Sequence, residues 1–513
     1  MTRRKVIKKE KFPDIHDVYK IAGKKIVLCH GVFDLLHYGH IEHLQEAKKQ
    51  GDILVVTVTA APFVNKGPGR PYFNDEQRMA FLASLAFVDH VILSEAATVI
   101  DILPFIQPDV YVKGQEYADK ANDISGNIEK ERAAVEAYGG KLYFTQGAVF
   151  SSTNLLNNFF NTLPDELVSN IRTLKEMFGI DLIDKIRTQA ETFLKLKVLV
   201  IGDVIIDEYV FCNLQGLTSK DSALSVRYDA EEKYLGGSLA IARHCANFAD
   251  VTVCSMLGSE KYIHMMINDG LKNVKKEFVY DDSFVTPVKR RYLKVHPLRQ
   301  EYDKLFSVNN LLSKEKANHV DYGKFHEKLE KMLPCYDVVI VGDYGHGLID
   351  DKTIKILQEK AMFLAVNCQT NSSNYGMNLI TKYQKADMFV VDEKELRLAF
   401  GQAVKPHEQL IKNLQEMLHS KYAWVTLGAD GAFGMKDDST YHCPAVTLTV
   451  KDTVGAGDAF YSLAALCAAT EMPIEIATLM SNVSGAIKTN MVGNSGTIEK
   501  VTLLKFLNSI LNV

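Results

Sequence analysis

Ile26-Val27-Leu28-Cys29-His30-Gly31-Val32-Phe33-Asp34-Leu35-Leu36-His37-Tyr38-Gly39-His40 decides how the first part of the chain folds. Residues 26–29 are an unbroken apolar run, which predicts a buried strand. A glycine-containing loop follows. Residues 41–50 then carry Ile41, Leu44 and Ala47 at helical spacing. The pattern repeats outward, with strands expected at 53–59, 90–93, 109–112 and 141–145 and helices at 76–87, 99–105 and 129–138. Steady alternation of this kind predicts an α/β fold, a doubly wound, Rossmann-like parallel sheet with helices on both faces. His37 and His40 then sit at the C-terminal edge of the sheet, where open α/β folds bind ligands. Two imidazoles beside a helix N-terminus can donate to phosphate oxygens. Gly39 lets the backbone approach a ligand closely.

Other loops at strand C-terminal ends can converge on the same crevice. Lys66-Gly67-Pro68-Gly69-Arg70-Pro71 is basic and glycine-rich, with Asn74 and Arg78 close behind. Lys113-Gly114 follows the fourth strand, and Phe150-Ser151-Ser152-Thr153-Asn154 follows the fifth. Each basic residue taken singly also reads as a solvated surface charge.

Residues 167–178 and 182–193 are amphipathic with no strand between them, which predicts a helical connector over 161–195. A second doubly wound sheet is expected from Lys197-Val198-Leu199-Val200-Ile201-Gly202-Asp203 onward. Segments 211–228 and 288–298 read as short antiparallel strands of a small β lid. The expected organisation is a tail over 1–23, one α/β domain over 24–160, the connector, and a second α/β domain over 196–513.

Asp452-Thr453-Val454-Gly455-Ala456-Gly457-Asp458-Ala459-Phe460 opens an apolar helix. Small residues there expose successive N–H groups of Gly455, Ala456 and Gly457, which suits an anion hole. Asp458 stands where a carboxylate can take a proton from a sugar hydroxyl. No G-x-x-x-x-G-K-[ST] string occurs, so a P-loop kinase is excluded.

The 513 residues suggest about three domains, or two large ones. Net charge is −4 and the pI about 6.4, which argues against nucleic acid as the main partner. The basic start (Arg3, Arg4, Lys5, Lys8, Lys9, Lys11) reads as a solvated tail, and no apolar stretch behind it makes a secretory signal. No apolar run approaches the ~20 residues needed to span a bilayer. Eight scattered cysteines without a C-x-x-C pair point to reduced core thiols and a cytoplasmic location.

Over residues 24–160 the chain resembles the nucleotidyltransferases with an H-x-G-H signature, above all the adenylyltransferase domain of bifunctional heptose-phosphate enzymes. The resemblance implies His37 and His40 as catalytic contacts to the triphosphate, with Ser152 and Thr153 in support. It further implies nucleotide contacts from Gly31, Phe33, Lys66, Arg70, Arg78 and Lys113. Ala60-Ala61 replaces a polar-acidic pair common in relatives.

Over 197–500 the chain resembles the ribokinase-like sugar kinases. That implies Asp458 as base and Gly455, Ala456 and Gly457 as anion hole. It also implies ATP contacts from Thr426, Gly428, Gly431 and Asn482, and sugar contacts from Asp203, Asp207, Gly236 and Gly237. Glu395 would act indirectly on Mg2+, in a motif where Asp392 stands for the family's Asn. Thr286-Pro287-Val288-Lys289, residues 299–303 and Gly342-Asp343-Tyr344-Gly345 look most like heptose-phosphate kinases. Those kinases usually carry Asp-Pro-Lys where Asn367-Cys368-Gln369 stands, and His346 stands where lysine is common.

Together the resemblances imply a bifunctional transferase of nucleotide-sugar biosynthesis. One half would phosphorylate a heptose-like sugar phosphate at C1 with ATP. The other would pass a nucleotidyl group, AMP, to the product. The familiar bifunctional heptose enzymes have the kinase first, and this order is reversed. A CTP-dependent transferase of a sugar or polyol phosphate is a second reading. A nucleotide-binding sensor or scaffold with one inactive site is a third. Small-molecule sugar phosphates and nucleoside triphosphates are the expected partners, with no membrane and no nucleic acid, and a homodimer through the lid is what the resemblance implies.

Overall fold

The structure, a computed structural model, describes residues 5–64, 70–96, 98–115, 128–145, 163–218, 221–295, 302–446 and 450–512. Lys66, Ser152 and Thr153 lie outside the described residues. The chain divides into two compact units, residues 1–171 with 504–513 and residues 172–503. The division falls inside the helix Asp165–Phe178, the first of the two expected connector helices. The second, Leu182–Thr192, lies in the second unit. No helix among the described residues is long and apolar enough to cross a membrane.

In the first unit, β1 (Ile26–Gly31), β2 (Ile53–Thr59), β3 (His90–Ser94), β4 (Val110–Lys113) and β5 (Lys141–Phe144) form one sheet in the order β3-β2-β1-β4-β5. Every pairing is parallel. The central strands β1 and β2 are mainly apolar because both of their faces are covered. Val27, Cys29, Leu54 and Val56 belong to one core cluster, while Ile26, Leu28, Val55 and Tyr111 belong to another. Alternate side chains on a strand point to opposite faces, so one apolar run feeds two cores. The order reverses between β1 and β4, and the loop carrying His37 leaves β1 at this switch point.

The basic start is not a solvated tail from Val6 onward. Val6 bridges to Val91, and Phe12–Ile21 is a helix with Pro13 in its first turn. Phe12 is fully buried, with Ile15 and Tyr19 packed on the same cluster. Their i, i+3, i+7 spacing is the helical signal that the surrounding lysines obscure.

The second unit has a nine-stranded sheet in the order Lys275–Tyr280, Asp250–Leu257, Lys197–Gly202, Val338–Asp343, Leu364–Cys368, Met388–Asp392, Tyr422–Thr426, Ala432–Lys436, Ser439–Cys443. All neighbours are parallel except the last two pairings. Its switch point lies between Lys197–Gly202 and Val338–Asp343. The lid is a separate four-stranded sheet, and its strands Val204–Leu217 and Leu224–Gly237 are each 14 residues long. The expected segment 211–228 is therefore the outer part of a long hairpin that starts at Val204, one residue after Asp203, whereas 288–298 falls on the strand Val288–Val295, which pairs parallel to Val204–Leu217 and antiparallel to Tyr302–Asn310.

Candidate functional site

His37 is the N-cap of the helix Tyr38–Lys48, with an extended backbone. Its carbonyl accepts from the N–H of His40 at 3.0 Å and of Ile41 at 3.2 Å. That first turn stacks the two imidazoles, with ring centroids 4.0 Å apart. Phe33 meets His40 edge-on at 5.4 Å. A Cβ on Gly31 would lie 3.1 Å from the Phe33 ring, so Gly31 makes room for the ring that supports His40. Phe33 is also in the left-handed region, at φ +49°. Gly31 and Phe33 thus shape the loop.

Arg70 and Asp34 form an ion pair at 2.7 Å with side chains 4% and 3% exposed. The other Asp34 oxygen accepts from the Phe73 N–H at 3.0 Å. Lys113 pairs with Glu131 at 2.9 Å. Arg78 overturns its sequence reading. It is fully buried and donates to the carbonyls of Val32 (2.7 Å), Thr59 (2.9 Å) and Phe73 (3.0 Å) and to Asp75. Four of its five N–H donors tie the loop after β1 to the end of β2 and to Asp75, and the side chain is fully buried, so it braces the site and does not face a phosphate. His30 and His43 bond Thr57 and Thr145 through Nδ1, and burial pushes them down to about 3 and about 4, so both are neutral at pH 7.

In the second unit a cleft of about 560 Å³ opens at the strand ends. It brings together Gly455, Gly457, Asp458, Glu395, Thr426 and Gly428 among the expected residues. The helix Ala456–Ala469 begins at Gly455, which has φ +81°. A Cβ there would also lie 2.5 Å from Asn494 Oδ1, so only glycine fits. Nothing lies within 4 Å of a Cβ on Gly457, which faces open space. The Ala456 N–H already donates to the Thr453 carbonyl at 3.2 Å. The amides of Gly455, Gly457 and Asp458 have no main-chain acceptor among the described residues, so of the three expected amides only that of Ala456 is spent.

Asp458 is buried, and one of its oxygens accepts from the Tyr344 hydroxyl at 2.8 Å and from Gln369 Nε2 at 3.2 Å. Burial raises its pKa despite both donors. Glu395 caps the helix Glu393–Phe400 reciprocally with Asp392 and accepts from the Thr370 N–H at 3.0 Å. Burial, then the Asp392 charge, lifts it to about 8. Asp392 thus fills the place of the expected Asn as an N-cap.

Several expected ligands are scaffolding instead. Asp203 accepts from the N–H groups of Tyr344, His346 and Leu348 at 3.1, 3.2 and 3.3 Å. Its carboxylate is spent on that loop rather than on a sugar. Asn482 donates to the carbonyls of Pro444 (2.8 Å) and Cys443 (3.2 Å). Gly431, at φ +88°, would put a Cβ 2.1 Å from that same Cys443 oxygen. Both hold the Cys443-Pro444 corner and neither lines the cleft. Asp207 pairs with Arg291 and accepts from Asn494 at 3.1 Å. Gly236 leaves the space that its carboxylate fills, and Gly237 starts the helix Ser238–Cys245 at φ +59°. Sequence reasoning assigned no role to Tyr344, Gln369 or Asn494. Tyr344 and Gln369 lie just past strand C-terminal ends, and that position is the one signal that could have found them.

Comparison with known proteins agrees with both halves. Residues 195–501 match the pfkB family carbohydrate kinase model, and residues 28–203 match the cytidylyltransferase-like model. The chain is similar to the bifunctional protein HldE of Syntrophotalea carbinolica, 33% identical over 27% of each chain. It is also similar to the bifunctional protein HldE of Geobacter metallireducens, 34% identical over 30% of each. The chain thus spans less than a third of the length of these curated relatives. Escherichia coli phosphofructokinase-2 in complex with substrates and products aligns at 14% identity and a TM-score of 0.49, over 61% of this chain and 98% of that one.

Arg78→Met should leave three carbonyls without their donor and destabilise the first unit by ~3 kcal/mol. In urea its transition should move to lower concentration while that of the second unit stays. An unchanged profile would show that the guanidinium is not a brace.

Proposed function

The chain belongs to the pfkB family of carbohydrate kinases, and on that premise we propose that it is a bifunctional enzyme of nucleotide-sugar biosynthesis. The second unit phosphorylates a heptose-like sugar phosphate at C1 with ATP. The first unit transfers an adenylyl group to the sugar 1-phosphate and releases pyrophosphate. The observation that carries the reading is Asp458, a buried carboxylate inside a polar cleft beside the open amides of Gly457 and Asp458.

A sugar hydroxyl is a poor nucleophile at neutral pH. Asp458 takes its proton as the new O–P bond forms and the bond to the ADP oxygen breaks. Tyr344 and Gln369 hold one carboxylate oxygen, which leaves the other for the substrate. The helix-start amides face the charge that builds on the transferred phosphoryl group. No group of three or more His, Cys, Asp or Glu that could hold a metal gathers among the described residues. Magnesium would be held by the ATP phosphates, with Glu395 in the cleft acting on it indirectly, and would supply charge neutralisation there. In the first unit, His37 and His40 donate to the nucleotide phosphates. The attacking sugar phosphate is already an anion, so that step needs no strong base. The cytidylyltransferase-like match keeps CTP as a second candidate donor for this unit.

All eight cysteines are free and seven are buried, which supports a reducing, cytoplasmic setting. Leu214, Leu217, Leu224, Phe306 and Val308 are exposed on the lid strands and support a homodimer through the lid.

The test is a matrix of sugar phosphates against ATP and CTP, with products identified by mass spectrometry. Heptose 7-phosphate with ATP should yield a bisphosphate, and heptose 1-phosphate with ATP should yield an ADP-sugar. Absence of any ATP turnover would favour the sensor reading. Asp458→Asn should lower kinase kcat at least ~10²-fold with little change in ATP binding and none in nucleotidyl transfer. A mutant phosphorylating at the parental rate would place the base elsewhere. His40→Ala should do the reverse, cutting nucleotidyl transfer ~10²–10³-fold and sparing the kinase. Equal transferase kinetics for mutant and parent would remove His40 from the phosphates.

A further inference from the structure

Lys488 lies on the helix Ile474–Thr489 and is fully buried. It has no ion-pair partner among the described residues. Its ammonium donates instead to two main-chain carbonyls, Val454 at 2.9 Å and Gly493. An ammonium buried away from a carboxylate is costly and persists only where other groups satisfy it. Burial accordingly pushes Lys488 below the usual lysine range. Asp452, Asp458 and Asp207 attract the charge through space, and Arg243 opposes it.

The two carbonyls belong to segments that the chemistry needs held. Val454 directly precedes Gly455, and the Lys488 Nζ lies 3.3 Å from where a Gly455 Cβ would stand. Gly493 donates its own N–H to Asp452 at 2.7 Å, and Asp452 also accepts from the Val454 N–H at 3.0 Å. The N–H groups of Lys451 and Asp452 both donate to the Thr489 carbonyl. Asp452 thus gathers the amides of this junction and Lys488 gathers its carbonyls. The Val454 carbonyl is turned onto Lys488, and the Asp458 amide four residues on has no main-chain acceptor among the described residues and borders the cleft. Main-chain carbonyls converging on a compact monovalent cation are also the ligands that a potassium or ammonium ion takes.

We propose that the Lys488 ammonium is the resident cation of the anion-hole loop, a positioning residue that makes the kinase independent of any dissociable monovalent cation. This rests on the kinase reading of Asp458 and Gly457 above.

The full chain tests it in three forms: the parent, Lys488→Ala, which opens space for an ion, and Lys488→Met, which fills that space without charge. Each is assayed in potassium, ammonium and choline chloride at equal ionic strength. The parental kinase rate and unfolding temperature should be the same in all three salts. Lys488→Ala in choline should lose ~10²-fold in kcat with KM for ATP little changed. Potassium or ammonium should recover most of that loss and raise the unfolding temperature of this variant. Lys488→Met should stay slow in every salt. A lysine serving only to fill the core would give no cation-selective recovery. Parental dependence on potassium, parental kcat in Lys488→Met, or no salt-specific response of Lys488→Ala in either measurement would overturn the proposal. The unfolding measurement needs no sugar, so a parent inactive on every sugar phosphate would defeat the functional reading while the cation question was still answered.

Discussion

The Asp203 carboxylate, buried at the head of the second sheet and taking the N–H groups of Tyr344, His346 and Leu348, is the constraint on which the kinase cleft depends. It sits one residue past Gly202, where the strands Lys197–Gly202 and Val338–Asp343 lie side by side. The loop after the second strand must therefore fold back over the end of the first. That places the Tyr344 hydroxyl on Asp458. Burial and the neighbouring Asp343 charge lift Asp203 to about 6, so the three N–H donors only partly offset the loss of water. A neutral side chain could not gather three amides as well.

The same device recurs with the sign reversed. Arg78 gathers carbonyls in the first unit as Asp203 gathers amides in the second. In each case a buried charge is spent on main chain, and the loop it anchors presents the reactive groups. Loops at strand C-terminal ends have no ladder of their own, so their polar groups need partners from elsewhere. One multivalent side chain supplies several bonds at once, and its burial keeps water from competing. The residues that touch substrates in the proposed reactions are thus distinct from those that spend the most charge.

This division explains which residues were legible. Strand and helix alternation showed both sheets, because apolar runs and helical spacing are local signals. The glycines of Gly455-Ala456-Gly457 and the His37–His40 turn were legible for the same reason, since a helix start needs only a few consecutive residues to declare itself. Phe12, Ile15 and Tyr19 carried such a signal too, hidden among lysines. Arg78, Asp203 and Asn482 read as ligands because a charged or polar residue near a motif looks the same whether it faces a phosphate or a carbonyl.

By itself the sequence determined the two α/β layers, the lid, the order of the two units and the turns where His37, His40 and Asp458 stand. All of these follow from patterns within a dozen or so residues. Only the tertiary structure decided where the polar side chains spend their hydrogen bonds. Tyr344 and Gln369 meet Asp458 across 114 and 89 residues of chain. Arg78 reaches Val32 across 46. Which carbonyl or carboxylate fills a given donor depends on how strands are ordered in the sheet, and strand order is set by packing between segments that carry no mark of one another in the sequence.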